Sequence, residues 1–120
     1  MAYTLSTAWI KPGKSERLRA WYDELQARKE EAFQTLDNEG VRQEVAFILK
    51  DGERELLAVF LELDKDFAEA DAAFFSSPFE IDHQHAAVMD ECTEGGSRGR
   101  VHAELMYAFQ NPRKEEAATS

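Results

Sequence analysis

Two runs of apolar residues near the middle of the chain, joined across Asp51 and Gly52, predict a β-hairpin. Both runs are rich in the β-branched and aromatic side chains that favour strands. The Asp-Gly dipeptide between them tolerates the positive φ of a tight turn. We therefore expect two antiparallel strands between Val41 and Leu63.

The segments around the hairpin alternate between strand and helix patterns. Apolar side chains at a spacing of 3.6 residues indicate helices, and proline or glycine residues mark where elements stop. The predicted order, β-α-β-β-α-β, indicates an α+β ferredoxin-like fold with a four-stranded antiparallel sheet and helices on one face. The elements predicted outside the hairpin are a strand over 4–10, a helix over 15–38 that is long enough to bend near Lys29, a short helix over 67–75, a second helix from Ser77 or Asp82 to Gly95, and a strand over 101–109.

The register of the hairpin decides which side chains face the helices, because a slip of one residue exchanges the two faces. A two-residue turn at 51–52 is one possibility, and a three-residue loop that pairs Val45 with Val59 and Phe47 with Leu57 is the other. We favour the three-residue loop because it pairs like residues with like. It predicts an apolar face of Val45, Phe47, Leu57, Val59 and Leu61, and an opposite face that carries Arg42, Glu44 and Glu62.

Composition narrows the class of protein. With 120 residues, the chain is long enough for one domain with its own core, and we expect that domain to span 1–112 with a polar tail at 113–120. The net charge of −10 disfavours a nucleic-acid partner, which needs clustered Lys and Arg. No run approaches the roughly 20 apolar residues that cross a membrane. One cysteine and no signal-peptide pattern predict a cytoplasmic protein.

Three short motifs stand out: the turn at 10–14, the Glu-Gly-Val at 39–41 and the Ser-Pro-Phe-Glu-Ile-Asp-His-Gln-His at 77–85. Together with the order of elements, they resemble an uncharacterised bacterial and archaeal family of the dimeric α/β-barrel group. The layout is also distantly similar to L-rhamnose mutarotases and antibiotic-biosynthesis-type monooxygenases. The resemblance implies a homodimer formed through the sheet face and a pocket between the sheet and the helices. Such mutarotases carry a tyrosine and a histidine four residues apart on the first helix, where this chain has Leu18 and Tyr22.

His85 is the first candidate for chemistry, because it shares a helical stripe with apolar residues and an ordinary histidine titrates near neutral pH. The alternative is a core or capping histidine that is satisfied by the backbone. Tyr22 and Glu44 are the other candidate acid–base residues, and their alternatives are a core aromatic residue and a salt-bridged surface charge. The candidate ligand-binding residues are Trp21, Phe47 and Asp82.

No histidine or cysteine spacing matches a metal site, and no glycine-rich phosphate loop precedes a helix, so we expect neither a metal nor a cofactor. The sequence leaves two functions open. One is a small-molecule pocket, with acid–base chemistry of the mutarotase or isomerase type. The other is a non-catalytic dimeric module of structural or regulatory kind, without a ligand pocket.

Overall fold

The computed structural model describes residues 2–112, and its four strands form a single antiparallel sheet. In chain order the elements are β1 (Ala2–Trp9), α1 (Ser15–Ala27), α2 (Lys29–Glu39), β2 (Val41–Asp51), β3 (Arg54–Leu63), α3 (Phe67–Phe75), α4 (Glu80–Cys92), a 3₁₀ turn (Gly96–Arg98) and β4 (Val101–His102). The strand order is β2-β3-β1-β4. The predicted α+β ferredoxin-like fold is therefore confirmed. The predicted tail at 113–120 lies outside the described residues.

The long predicted helix is divided at Arg28, whose φ of −105° and ψ of 37° are not helical. The Arg28 side chain fixes this break, because it donates to Glu24 and Glu31 at 2.8 Å each and to Gln84 on α4 at 2.6 Å. One guanidinium group thus ties α1, α2 and α4 together. The second segment, α2, ends at Gly40, where a φ of 74° permits the sharp turn into β2.

The core lies between the helices and one face of the sheet. Its larger cluster joins α1, α4 and β3, and a smaller cluster joins α2 and α3 to the start of β2 and the end of β3. Leu18, Leu57 and Met89 are at most 1% exposed, so this side of the sheet is closely packed. The buried residues of the larger cluster are Ile10, Leu18, Trp21, Leu57, Val59, Ile81, Val88, Met89 and Cys92.

The predicted hairpin register is wrong by one residue. The strands are joined by a two-residue turn at 52–53, so that Val45 lies opposite Phe60 and Phe47 lies opposite Ala58. Because paired residues share a face, Val45 and Phe47 lie on the side away from the helices. The helix-facing residues of β2 are Glu44, Ala46 and Ile48, which pair with Leu61, Val59 and Leu57. Like-with-like pairing misled the prediction, since both faces of β3 are apolar.

The last strand is much shorter than predicted. β4 contains only Val101 and His102, and after Ala103 donates to the Leu5 carbonyl at 2.8 Å the chain leaves the sheet. We call residues 103–112 the C-terminal arm. Its apolar side chains are highly exposed, up to 90% for Phe109.

The sheet face away from the helices, which we call the outer face, is apolar. None of the described helices covers this face, since the core clusters all lie on the other side. Phe47 is 56% exposed and Leu49 is 49% exposed. The outer face holds Tyr3, Leu5, Trp9, Val45, Phe47, Leu49, Leu56, Ala58 and Phe60. Among the described residues, no helix has the length and apolar character needed to cross a membrane.

The register predicts which cysteine pairs can be cross-linked. Val45→Cys with Phe60→Cys should oxidise readily, because the two residues face each other with Cα atoms about 4.5–5.5 Å apart, inside the range that disulfides accept. Val45→Cys with Val59→Cys is the matched control and should stay reduced, because these side chains lie on opposite faces. Thiol counting after mild oxidation measures both. Cross-linking of the 45/59 pair in preference to the 45/60 pair would contradict the register.

Candidate functional site

A cavity of about 130 Å³ lies between the sheet and helices α2, α3 and α4. Most of its wall is apolar, as in ligand sites generally, but an unusual number of titratable groups converge on it. The polar residues that line it are Thr35, Glu39, Glu44, Asp71, Asp82, His85 and Arg100. The cavity therefore brings together two predicted acid–base residues, His85 and Glu44, with the predicted ligand-binding residue Asp82.

Four carboxyl groups line the cavity, of which Asp71 belongs to α3 and the other three come from three further elements. Glu39 is the last residue of α2, where the glycine turn directs the chain back beneath the helices. Glu44 is on the helix-facing side of β2 because of the observed register. Asp82 lies buried in the first turn of α4, rather than capping a helix that starts at His83, and its carboxylate accepts a hydrogen bond from Thr35.

Glu39 has the most unusual environment of the three. It is only 7% exposed, and its Oε2 atom is buried without a hydrogen-bond partner among residues 2–112. Burial, followed by the negative charges of Asp82 and Glu44, raises the pKa of Glu39 to about 8. At neutral pH this residue is therefore mainly a neutral carboxylic acid that can donate a proton.

Glu44 lies on an edge strand, and much of the residue is open to solvent. Desolvation of its carboxyl group nevertheless raises the pKa, the positive charge of Arg100 lowers it, and the negative charge of Asp82 raises it again. Glu44 in turn contributes to the raised pKa of Glu39. Two carboxyl groups that face one cavity from different environments can serve as an acid and a base.

His85 is held in a single tautomer by Trp21. The indole Nε1 of Trp21 donates to Nδ1 of His85 at 2.8 Å. Because an indole N–H can only donate, Nδ1 is the acceptor and the proton of the neutral imidazole lies on Nε2. Burial, helped by the positive charge of Arg100, lowers the pKa of His85 to about 4. His85 is therefore a neutral hydrogen-bond donor at neutral pH, rather than the group titrating near pH 6.5 that the sequence suggests.

Tyr22 and Trp21 support His85 but do not line the cavity. The Tyr22 ring packs edge-on against the His85 ring, with centroids 6.2 Å apart, and the Trp21 ring lies 6.0 Å away on another side. Burial, with the nearby charge of Glu44, raises the pKa of Tyr22 far above its usual value. Tyr22 consequently stays protonated and is a poor proton acceptor.

A wider groove of about 610 Å³ adjoins the cavity between α1, α2 and β2. Leu25, Ala32 and Glu44 line both spaces, so they form the wall between them. Tyr22 and Phe47 line the groove but not the cavity. Phe47 thus lines the groove together with Tyr22 and Glu44, whereas His85 and Asp82 line only the cavity.

Sequence reasoning missed Glu39, Thr35 and Arg100. Glu39 precedes the glycine that ends α2, where the sequence pattern indicates only a helix stop. Arg100 follows a glycine-rich loop and is brought to the cavity only by the path of the chain into β4. Neither position carries a pattern that distinguishes it from a surface charge.

Within the described part of the chain, no group of three His, Cys, Asp or Glu side chains is arranged to hold a metal ion. Cys92 is buried, and desolvation raises the pKa of its thiol, so it is not an activated nucleophile.

The chain belongs to DUF6176, a family of unknown function whose model matches residues 1–114. No curated protein matches the sequence. Several solved structures share the fold, among them a cyclase and a mutarotase. Tetracenomycin F2 cyclase from Streptomyces glaucescens, described as a type-II polyketide cyclase, is 19% identical with a TM-score of 0.59. L-rhamnose mutarotase from Formosa agariphila is 18% identical with a TM-score of 0.57. Each match covers 93% of this chain and all of the other, and at this identity it establishes the fold alone.

The raised pKa of Glu39 predicts that stability falls as the pH rises from 6.5 to 8. In this range the folded protein keeps the Glu39 proton and the unfolded chain has released it, so rising pH favours unfolding. His85 has the opposite effect, but only below about pH 6.5, where the unfolded chain binds a proton that the folded protein does not. We expect the free energy of unfolding to fall by about 1–2 kcal/mol between pH 6.5 and 8, as measured by urea titration.

The Glu39→Gln protein should lose most of this pH dependence, because its amide does not titrate. Glu31→Gln is the control, since the pKa of the exposed Glu31 is lowered by its hydrogen bond from Arg28 and its titration lies well below this range. Equal slopes for Glu39→Gln and the unaltered protein would contradict the assignment.

Proposed function

We propose that this protein binds a small molecule in the cavity and catalyses its isomerisation by acid–base chemistry. The observation that carries the proposal is the buried Oε2 of Glu39, which lacks a hydrogen-bond partner among residues 2–112. A buried polar group without a partner costs about 1–3 kcal/mol and is uncommon in folded proteins. A hydroxyl or carbonyl group of a ligand would supply the missing partner.

Each of the three central side chains has a distinct role in this proposal. Glu44, the carboxyl group nearest the open groove, is the general base that takes a proton from the substrate. Glu39, neutral at pH 7, is the general acid that returns a proton at a second position. Nε2–H of His85 donates a hydrogen bond to the substrate oxygen on which negative charge develops.

The remaining predicted residues either support these three or contact the substrate themselves. Trp21 fixes the tautomer of His85, and Tyr22 packs against the imidazole ring. Asp82 keeps the pKa of Glu39 high and offers an acceptor to a substrate hydroxyl. Phe47 contributes an apolar contact for any part of the substrate that lies in the groove.

Cavity size limits the substrate. An apolar cavity of about 150 Å³ holds benzene, so the 130 Å³ space accepts a reacting part of about that size. Larger substrates would extend past Glu44 into the groove of about 610 Å³. Two proteins that share the fold are named as a polyketide cyclase and a rhamnose mutarotase. These names, together with the size of the cavity, support a small organic molecule as the substrate.

We also propose that the protein is a homodimer formed through the outer face. Monomeric proteins rarely expose a contiguous apolar patch of more than a few hundred Å², and this face carries Phe47, Leu49 and Leu5 in exposed positions. The C-terminal arm adds exposed Tyr107 and Phe109 beyond the same sheet. In a two-fold dimer the outer face of each subunit packs against the outer face of the other, so one interface buries both apolar faces.

The non-catalytic dimeric module is the alternative. The apolar outer face is equally consistent with such a module, because binding of a second copy would bury that face whether or not the protein has a ligand. It offers no reason for an unpaired carboxyl group in a cavity, because a purely structural protein gains stability by filling such a space. The cavity and Glu39 therefore favour the ligand-binding function.

A panel of small hydroxy-carbonyl compounds that includes L-rhamnose tests the enzyme function. At least one compound should raise the melting temperature, and NMR in D₂O should show faster anomer exchange or faster deuterium incorporation with the protein present. Glu44→Gln should lower that rate by about 10²–10⁴-fold, the usual contribution of a general base. Glu62→Gln, a carboxyl on the outer face of the same sheet, is the matched control and should retain the rate.

His85→Ala should abolish the thermal shift while the fold survives. Part of any loss of stability will come from the unpaired Trp21 N–H, so Trp21→Phe measures that contribution separately. A panel in which no compound shifts the melting temperature or reacts faster would contradict the proposed function.

Light scattering after size-exclusion chromatography tests the dimer. The unaltered protein should have twice the 13.7 kDa mass of one chain. Phe47→Asp should give monomers, because it places a charge on the apolar face that the proposed interface buries. Phe33→Asp is the matched control, since Phe33 is 61% exposed but lies on α2, and it should remain dimeric. A monomeric unaltered protein, or equal effects of both substitutions, would contradict an interface through the outer face.

A further inference from the structure

A second, basic pocket adjoins the cavity on the side of the 3₁₀ turn. It has a volume of about 110 Å³ and is lined by Asp71, Phe75, Ser97, Arg98, Arg100 and His102. Asp71 and Arg100 line both this pocket and the cavity, so the two spaces are neighbours. The basic pocket places two guanidinium groups and an imidazole beside one carboxylate, in a chain whose net charge is −10.

Neither of its two arginines forms an ion pair within residues 2–112, although the charge of Arg98 contributes to the lowered pKa of Asp90. Five other arginines form ion pairs with carboxylates, whereas Arg98 and Arg100 form none with any carboxylate of residues 2–112. The Arg98 guanidinium lies over the Phe75 ring at 3.7 Å from its centroid. Stacking of this kind holds the group in place and leaves its N–H edge available for a planar or tetrahedral oxyanion.

Arg100 links the basic pocket to the acid–base groups. Its charge lowers the pKa of Glu44, Glu39 and His85, so it is close enough to act on all three. It forms no direct ion pair with these carboxyl groups, and Arg98 does not line the cavity at all. Neutralisation of the cavity carboxyls therefore explains part of the role of Arg100 and none of the role of Arg98.

We propose that the substrate carries a terminal oxyanion, a carboxylate or a phosphate, which Arg98 and Arg100 bind in the basic pocket. This inference rests on the proposed function, because it assigns the other end of the same substrate to the cavity. Arginine suits such groups, since its donors match two oxygens at once. Binding the anion at Arg100 directs the adjoining atoms of the substrate towards Glu44, Glu39 and His85. The substrate class is then a small hydroxy or oxo acid, or the phosphate ester of a small carbonyl compound.

Binding of small ions tests the basic pocket without any turnover. Acetate and inorganic phosphate are titrated separately into ¹⁵N-labelled protein at constant ionic strength, and acetamide serves as the neutral counterpart of acetate. We expect saturable shifts of the Ser97 and Arg100 amide signals with at least one ion and none with acetamide. The ion that binds more tightly distinguishes a carboxylate substrate from a phosphate substrate.

Arg98→Gln and Arg100→Gln should each weaken binding by about tenfold, the effect of losing one hydrogen bond to a charged group. Arg98→Lys should recover part of the loss, because it restores the charge without the paired donors. Arg42→Gln, which removes an exposed arginine at the start of β2 that lines neither the basic pocket nor the cavity, is the matched control and should bind normally.

The outcomes separate this inference from the proposed function. Saturable binding that also persists in Glu44→Gln supports the basic pocket, even if no compound reacts. Reaction of neutral compounds only, with no ion bound at Ser97 and Arg100, overturns the basic pocket and leaves the acid–base function standing. Equal binding to the unaltered protein, Arg98→Gln and Arg100→Gln would show an adventitious ion only and would likewise overturn the inference.

Discussion

The pairing of β2 with β3 is the constraint on which both surfaces of this protein depend. With Val45 opposite Phe60, the helix-facing side of β2 presents Glu44, Ala46 and Ile48, and the outer side presents Val45, Phe47 and Leu49. A shift of one residue would exchange these sets. It would remove a carboxyl group from the cavity and place charges on the apolar outer face. The cavity and the proposed dimer interface are therefore two results of one register.

Burial of several acids in one space requires that their charges be reduced. Two ionised carboxylates in a region of low dielectric repel strongly, and the cheapest remedy is to keep one of them protonated. Glu39 fulfils this need through its raised pKa, and Arg100 provides a positive charge from the other side. Burial, together with the same positive charge, lowers the pKa of His85 and keeps it neutral. The protonation states proposed for catalysis thus follow from the electrostatics of folding.

The fold was predictable because its signals are local and repeated. The glycine turn at Gly40, the helical spacing of Leu18 and Trp21, and the Asp-Gly turn each act within a few residues. The register was not, since Leu56 and Leu57 are equally apolar and only the geometry of the turn separates them. His85, Glu44 and Asp82 were candidates on residue type and spacing, although the predicted register placed Glu44 on the opposite face of the sheet. Glu39 and Arg100 were not candidates, because they come together only when three distant segments meet.

The short length of β4 was also not predictable from local sequence patterns. The apolar residues of the C-terminal arm predict a strand, and the pattern contains no information about which sheet that strand would join. In one chain the arm leaves β1 after Ala103, although β1 continues to Ala2. An apolar segment that its own sheet does not bind is more stable when a second surface covers it.

Stability alone does not account for the cavity. Extending Ala32 or Ala70 by one or two methylene groups would fill part of the space, and Gln at position 39 would avoid the cost of a buried acid. Natural proteins retain such costly arrangements mainly at functional sites, where the unpaired group is needed for a ligand. His85, in contrast to Glu39, is well packed. Trp21, Tyr22 and Phe74 surround its ring on several sides, and the hydrogen bond from Trp21 fixes a single tautomer. A fixed hydrogen-bond donor, His85, and an unpaired carboxyl group, Glu39, line the same cavity, which is the arrangement expected of a ligand-binding site.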